Sequence, residues 1–236
     1  MAVLGYDFGG EVVPMAPPPD EGNDERAEKL RSVSVFKTMT TQRKMRLLSE
    51  AALDEAMPWH LEPGAAYHCI SSGDVDSLTY LRHVVRQQRC DYVLLATWCM
   101  ATHDAEEMRS WVERGLVGRF DYYVGEIFKG GYRGCRDVLD ETCALCGGRV
   151  ARFRNHSKLM VVYGERFDCV IESSANVDTN PRTEQTCVTV DSGLCDFYKG
   201  YFDGINDFDG GYAGWEPWSR ATAPAARGSG EVTGDG

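Results

Sequence analysis

Six short apolar runs, spaced by segments of helical period, constrain this chain more than any other feature. They are Asp91–Thr97 (DYVLLAT), Phe120–Gly125 (FDYYVG), Arg149–Arg154, Lys158–Tyr163 (KLMVVY), Phe167–Glu172 (FDCVIE) and Gln185–Val190 (QTCVTV). All have strand length, and Val, Ile, Tyr and Phe recur in them, as a pleated and half-buried surface requires. Asp74 is placed to cap a helix carrying Val75, Leu78, Leu81 and Val85. Asp104, with Glu107 three residues on, makes a capping-box-like start to a helix with Met108, Trp111 and Val112 on one face and a stop near Gly115. Leu194, Phe197, Tyr198, Tyr201, Phe202 and Ile205 follow helical spacing and give a wide aromatic face to bury. Arg43–Met57 reads as a further helix, stopped by Pro58 and free to pack on the sheet or to mediate self-association. Strands alternating with helices predict an α/β sandwich with a mixed β-sheet flanked by helices.

The chain divides by composition. Residues 1–30 hold seven acids, two bases and a Pro17-Pro18-Pro19 run, and read as a flexible acidic lead. Residues 31–64 form an N-terminal helical segment, 65–210 the folded domain, and 211–236 a disordered tail. The formal charge of −11 sits mostly in the ends, which speaks against a nonspecific nucleic-acid coat but leaves room for a local anion-binding groove. Within the domain, Arg149, Arg152, Arg154 and Lys158 put four positive charges and no acid into ten residues. No run of 18 apolar residues occurs, so a spanning helix is not expected. The first residues lack the basic and apolar regions of a secretory signal. Nine scattered cysteines, an odd number, suggest reduced thiols and a cytoplasmic setting.

The chemistry concentrates in Asn155-His156-Ser157-Lys158, followed by Ser173-Ser174-Ala175-Asn176 and Asn180-Pro181-Arg182-Thr183-Glu184. In an extended strand, side chains two apart share a face, so His156 and Lys158 project together and Ser157 points away. An imidazole beside an ammonium suits an anionic phosphoryl group: the base attacks phosphorus while the lysine compensates the oxygen charge. Ser174 and Asn176, again two apart, offer neutral hydrogen-bonding partners to the same oxygens. Glu184 could accept from the other ring nitrogen of His156 and fix its tautomer.

These residues resemble the HxK motif of the phospholipase D superfamily, with its downstream serine, asparagine and glutamate. The resemblance extends over roughly residues 65–207, and with one motif in the chain it looks like the single-motif, phage- or prophage-type branch. It implies a phospholipase D-like sandwich in which His156 is the nucleophile forming a phosphohistidine. Lys158, Ser174 and Asn176 would bind the phosphate, and Glu184 would orient the histidine. Such enzymes need no metal or other cofactor. They use two histidines, so one motif per chain implies a homodimer with the site across its two-fold axis. Two positions depart from the pattern: the motif's aspartate, five after Lys158, is Tyr163, and the glycine before Ser174 is Ser173.

Other signals carry less. His60, His68 and His83 read as ordinary histidines. Trp98 and His103 follow the strand ending at Thr97, where α/β sheets place ligands; with Arg154 they are the candidate pocket residues, although core packing is the better reading of Trp98 and helix-start hydrogen bonding explains His103 equally well. Cys143 and Cys146 have half of a zinc-knuckle spacing, with Cys135 as a third candidate ligand. No second pair follows, and Leu139, Cys143 and Cys146 fall on one helix face stopped by Gly147, so core packing is the better reading. The sequence thus predicts a phosphodiesterase, with a nuclease favoured and nucleic acid the favoured partner. A non-catalytic phosphate- or nucleic-acid-binding module of a phage assembly is the alternative. No basic amphipathic helix marks a membrane partner.

Overall fold

The computed structural model describes residues 48–73, 75–178, 182–206 and 214–222. The acidic lead, Asp74, Asn180-Pro181, residues 43–47 of the expected first helix and most of the tail lie outside the described residues. A helix, α1, runs through residues 48–56 and ends before Pro58. After it come β1 (Ala66–Ser71), α2 (Ser77–Val85), β2 (Cys90–Thr97), α3 (Thr102–Glu113), β3 (Phe120–Gly125), α4 (Arg133–Cys146), β4 (Val150–Phe153), β5 (Leu159–Gly164), β6 (Asp168–Ser173), β7 (Glu184–Thr189) and α5 (Ser192–Asp203). The sheet order is β1-β7-β6-β5-β2-β3-β4. β2, β3 and β4 are parallel, joined by α3 and α4 as crossovers, and the remaining pairings are antiparallel. This is the expected α/β sandwich, a mixed sheet flanked by helices.

Alternate residues of the central strands feed two cores. Val93, Leu95, Val124, Val162 and Ile171 pack with residues of α2, α3 and α4 on one face. Tyr92, Leu94, Tyr123, Val161 and Tyr163 pack with Cys195 and Phe202 of α5 on the other. All six runs read as strands are strands to within a residue or so. β1 was not among them because an edge strand of sequence AYHCIS has neither an apolar run nor a clear turn signal. His156 and Lys158 themselves lie in the connection between β4 and β5 rather than in a strand.

Two helix starts differ from expectation. α2 is capped by Asp76, whose carboxylate accepts from the Thr79 amide at 2.8 Å. Val75 therefore precedes the helix. α3 begins at Thr102 with no side-chain cap. Asp104 and Glu107 turn inward instead: the Glu107 carboxylate takes two hydrogen bonds from Arg82, at 2.7 and 2.9 Å, and Asp104 lies 3.6 Å away. Burial of Arg82 opposes its charge, yet Glu107, Asp76 and Asp104 outweigh it and hold the guanidinium above its usual range. A buried cation from α2 thus claims the carboxylates that local pattern assigned to a cap.

Arg149 is also a structural cation. It is buried, stacks 3.6 Å over Trp215, and donates to the Tyr123 hydroxyl at 2.9 Å and the Phe202 carbonyl at 3.0 Å. The basic cluster is therefore split, with Arg154 alone of its three arginines fully exposed. Residues 214–222, grouped by composition with the tail, pack on the second core. Trp218 stacks on Tyr92 at 4.9 Å, and Arg220 pairs with Asp168 at 2.6 Å. Cys143 is buried and Cys146 half-buried on α4; burial pushes the Cys143 thiol well above its ordinary range, so it packs as a neutral group. Gly147 ends that helix in the left-handed conformation, as the core reading expects. Among the described residues no helix is long and apolar enough to cross a membrane.

Candidate phosphate site

The sheet register gathers the motif. Ala96 stands opposite Leu159, Leu159 opposite Glu172, Ser173 opposite Thr186, and Ser71 opposite Glu184. The carboxyl ends of β1, β2, β3, β4 and β6 therefore meet the starts of β5 and β7 along one edge of the sheet. Residues 97–99, 154–158, 173–176 and Glu184 converge there, although 87 residues separate the first from the last.

Asn155 holds the loop in place. Its side chain is buried, and its amide donates to the Thr97 carbonyl at 3.3 Å and the Tyr123 carbonyl at 2.7 Å, at the ends of β2 and β3. Its side-chain oxygen accepts from the Ser157 amide at 3.0 Å and from the Ser157 hydroxyl. With Asn155 and Ser157 thus occupied, His156 and Lys158 project together. Lys158 Nζ lies 3.2 Å from His156 Nδ1 and donates to the His156 carbonyl at 2.6 Å. Burial lowers the pKa of Lys158 from its ordinary value, against the opposing fields of Cys99 and Glu184. Across the edge, Ser174 donates to the Glu184 carboxylate in a very short hydrogen bond and accepts from the Gln185 amide at 3.0 Å. The Asn176 side-chain oxygen accepts from the Trp98 amide at 3.3 Å, which directs its NH2 away from β2.

The candidate pocket residues separate. The Trp98 ring stands 6.0 Å from that of His156, tilted 46°. His103 sits exposed on the first turn of α3, 3.4 Å from buried Asp104. Arg154 faces a groove on the α5 side of the loop. Gly125 makes room for Trp98: a Cβ there would lie 2.6 Å from the Trp98 carbonyl oxygen and 2.7 Å from its ring. Gly125→Ala is accordingly expected to destabilise the fold by about 1–3 kcal/mol through overpacking, measured by urea unfolding.

The two departures from the motif have structural occupations. Tyr163 turns its hydroxyl to Asp196 on α5 at 2.7 Å, so it ties β5 to that helix. Ser173 accepts from the Ala175 amide at 3.1 Å and pairs with the Thr186 hydroxyl at 2.9 Å, which stabilises the turn. Sequence reasoning missed Asn155 as a peg. A lone asparagine between an apolar strand and the motif was its only local sign. It also missed Thr97, whose hydroxyl accepts from the Val177 amide, and Ser77, whose hydroxyl holds the Asn176 carbonyl at 2.7 Å; nothing local marks either.

Fold and edge together define an α/β domain with a histidine–lysine pair where its strands converge. No family model matches the chain, and no curated protein does. Among solved structures it is similar to a polyphosphate kinase from Porphyromonas gingivalis, at 12% identity and TM-score 0.44, over 58% of this chain and 25% of that one. It is also similar to TrmBL2, an archaeal chromatin protein with a novel mode of DNA binding, at 12% identity and TM-score 0.45, over 75% and 64% of the two chains. The chain thus spans a quarter of the first and under two thirds of the second. Likeness at this level carries neither neighbour's activity to this chain.

Proposed function

We propose that the chain is a phosphodiesterase, with nucleic acid the favoured substrate, acting through a phosphohistidine on His156 in a homodimer. The contact between Lys158 and His156 at the edge shared with Ser174, Asn176 and Glu184 carries this reading. With the ammonium donating to Nδ1, the ring proton resides on Nε2. When a phosphate oxygen draws Lys158 away, Nδ1 is free to take the proton, and Glu184 is the carboxylate at hand to accept from it. Nε2 then attacks phosphorus in line, its bond to phosphorus replacing the bond to the leaving oxygen. Lys158 and the Ser174 and Asn176 side chains hold the charged oxygens. His156 of the second copy protonates the leaving oxygen, and water afterwards hydrolyses the phosphohistidine, returning both groups to their starting state. No step calls for a metal.

Tyr163 in place of the motif's aspartate, committed to Asp196, favours a second reading: a non-catalytic module that holds phosphate or nucleic acid. Hydrolysis of bis(p-nitrophenyl) phosphate and of single- and double-stranded DNA in excess EDTA decides between them. Pure dimeric protein that cleaves none of these, yet binds DNA, leaves only the second reading standing.

Both readings place an anion on Lys158, whose lowered pKa has a consequence. As pH rises through that value the ammonium is lost, so affinity for an oligonucleotide should fall at a lower alkaline pH than an ordinary lysine would give. Lys158→Arg should shift the loss upward. Anisotropy titrations of a labelled strand from neutral to alkaline pH measure both, and coincident curves for the two proteins would count against Lys158 as the phosphate ligand.

A further inference from the structure

We infer that the groove between the motif loop and α5 is a nucleobase-stacking subsite, so that the site takes a single-stranded nucleic acid; this rests on the phosphate-site reading above. The groove has a volume of about 370 Å³ and is lined by Phe153, Leu159 and Phe202, by Phe197 and Tyr201 of α5, and by Arg154. Phe197 and Tyr201 stand four residues apart and share one helix face. They are 68% and 65% exposed. Core formation does not account for them, since α5 already buries Cys195 and Phe202 against the sheet. The aromatic face expected to pack inward is therefore split, with two rings left at the lip of a groove.

The polar side of the groove complements an anion. Arg154 is exposed and makes no ion pair among the described residues, whereas Arg82, Arg86, Arg109 and Arg220 of this acidic chain all pair with carboxylates. Position supplies the link to the phosphate site. Asn155 and Ser157 line the groove, while His156, between them, stands beside the Trp98 ring and is bonded to Lys158. In the inferred path, a strand with one phosphate on Lys158 crosses the loop at Asn155 and Ser157 and lays a base over Phe197 and Tyr201. Stacking on such rings accepts any base, because every base has a π face. A second copy of the chain is the competing occupant, but the guanidinium at the rim favours the polyanion.

The test compares a labelled oligothymidylate with a strand of equal length built from abasic tetrahydrofuran units. Both are titrated by anisotropy against the full chain carrying His156→Asn, so that neither is cut. Stacking contributes roughly fivefold or more per base. The base-bearing strand should bind tighter by at least that factor, and Phe197→Ala/Tyr201→Ala should erase the preference while leaving affinity for the abasic strand unchanged. Phe197→Leu, which keeps an apolar side chain without a ring, should lose part of the preference. Equal affinity for the two strands before any change to the groove overturns the inference, whether or not the wild-type chain hydrolyses phosphodiesters. So does sedimentation in which the double substitution splits a dimer while the base preference persists, since the groove would then seat a second copy. Base preference in a chain that cleaves nothing supports the subsite and removes only the catalytic reading.

Discussion

His156→Ala is expected to lower EDTA-resistant phosphodiester hydrolysis by about 10³-fold or more while the chain stays folded. The expectation of an intact fold follows from position. His156 is exposed, its ring is bonded to Lys158, and the loop around it is held by Asn155 and Ser157. The size of the loss follows from the role: without a nucleophile the remaining groups bind phosphate but form no covalent intermediate. Rates for wild type and variant on bis(p-nitrophenyl) phosphate give the ratio directly. A wild-type pH profile with two limbs would belong to the two histidines jointly, whereas a single limb would sink the two-histidine scheme. Retained activity in the variant would remove His156 from the chemistry altogether.

Asn155→Ala should cost about 2–4 kcal/mol of stability and depress activity even where the chain remains folded. The side chain satisfies the Thr97 and Tyr123 carbonyls and the Ser157 amide, and all of these lose their partner at once in a buried setting. An alanine cannot replace any of the bonds, nor does the site readily admit water in their place, because Ala96, Thr97 and Tyr123 around it are buried. Urea unfolding with a lowered midpoint and an unchanged slope would register the stability term. The activity term, measured well below that midpoint, reports the freed loop, since His156 and Lys158 lose the backbone that aims them. Asn155→Asp offers a check at neutral pH: its carboxylate would face two carbonyl oxygens and should fare no better than alanine. A variant as stable as wild type would contradict the assignment of Asn155 as the peg.

The strands and most helices were legible in the sequence because their signals are local. Val93 and Leu95 face one core, and Tyr92 and Leu94 the other, so a buried central strand reads as a continuous apolar run. β1 escaped because an edge strand needs only one partner and carries His68 and Ser71 without cost. The start of α3 was misread for a different reason. Asp104 and Glu107 have capping-box spacing, but Arg82, more than twenty residues away, draws both inward. Arg149 counts among four clustered positive charges in the sequence, but Trp215 and Tyr123 enclose it. For α3 and Arg149 a long-range partner overrode the local pattern.

The same division holds at the site. Local chain geometry placed His156 and Lys158 on one side and Ser157 on the other, because alternation along extended backbone needs no tertiary partner. It also paired Ser174 with Asn176. What brought those two segments together with Glu184 and Trp98 is the register of β5 against β2 and β6, and of β6 against β7. Register is fixed by which apolar faces must be buried across the whole sheet, a condition that no short window of sequence contains.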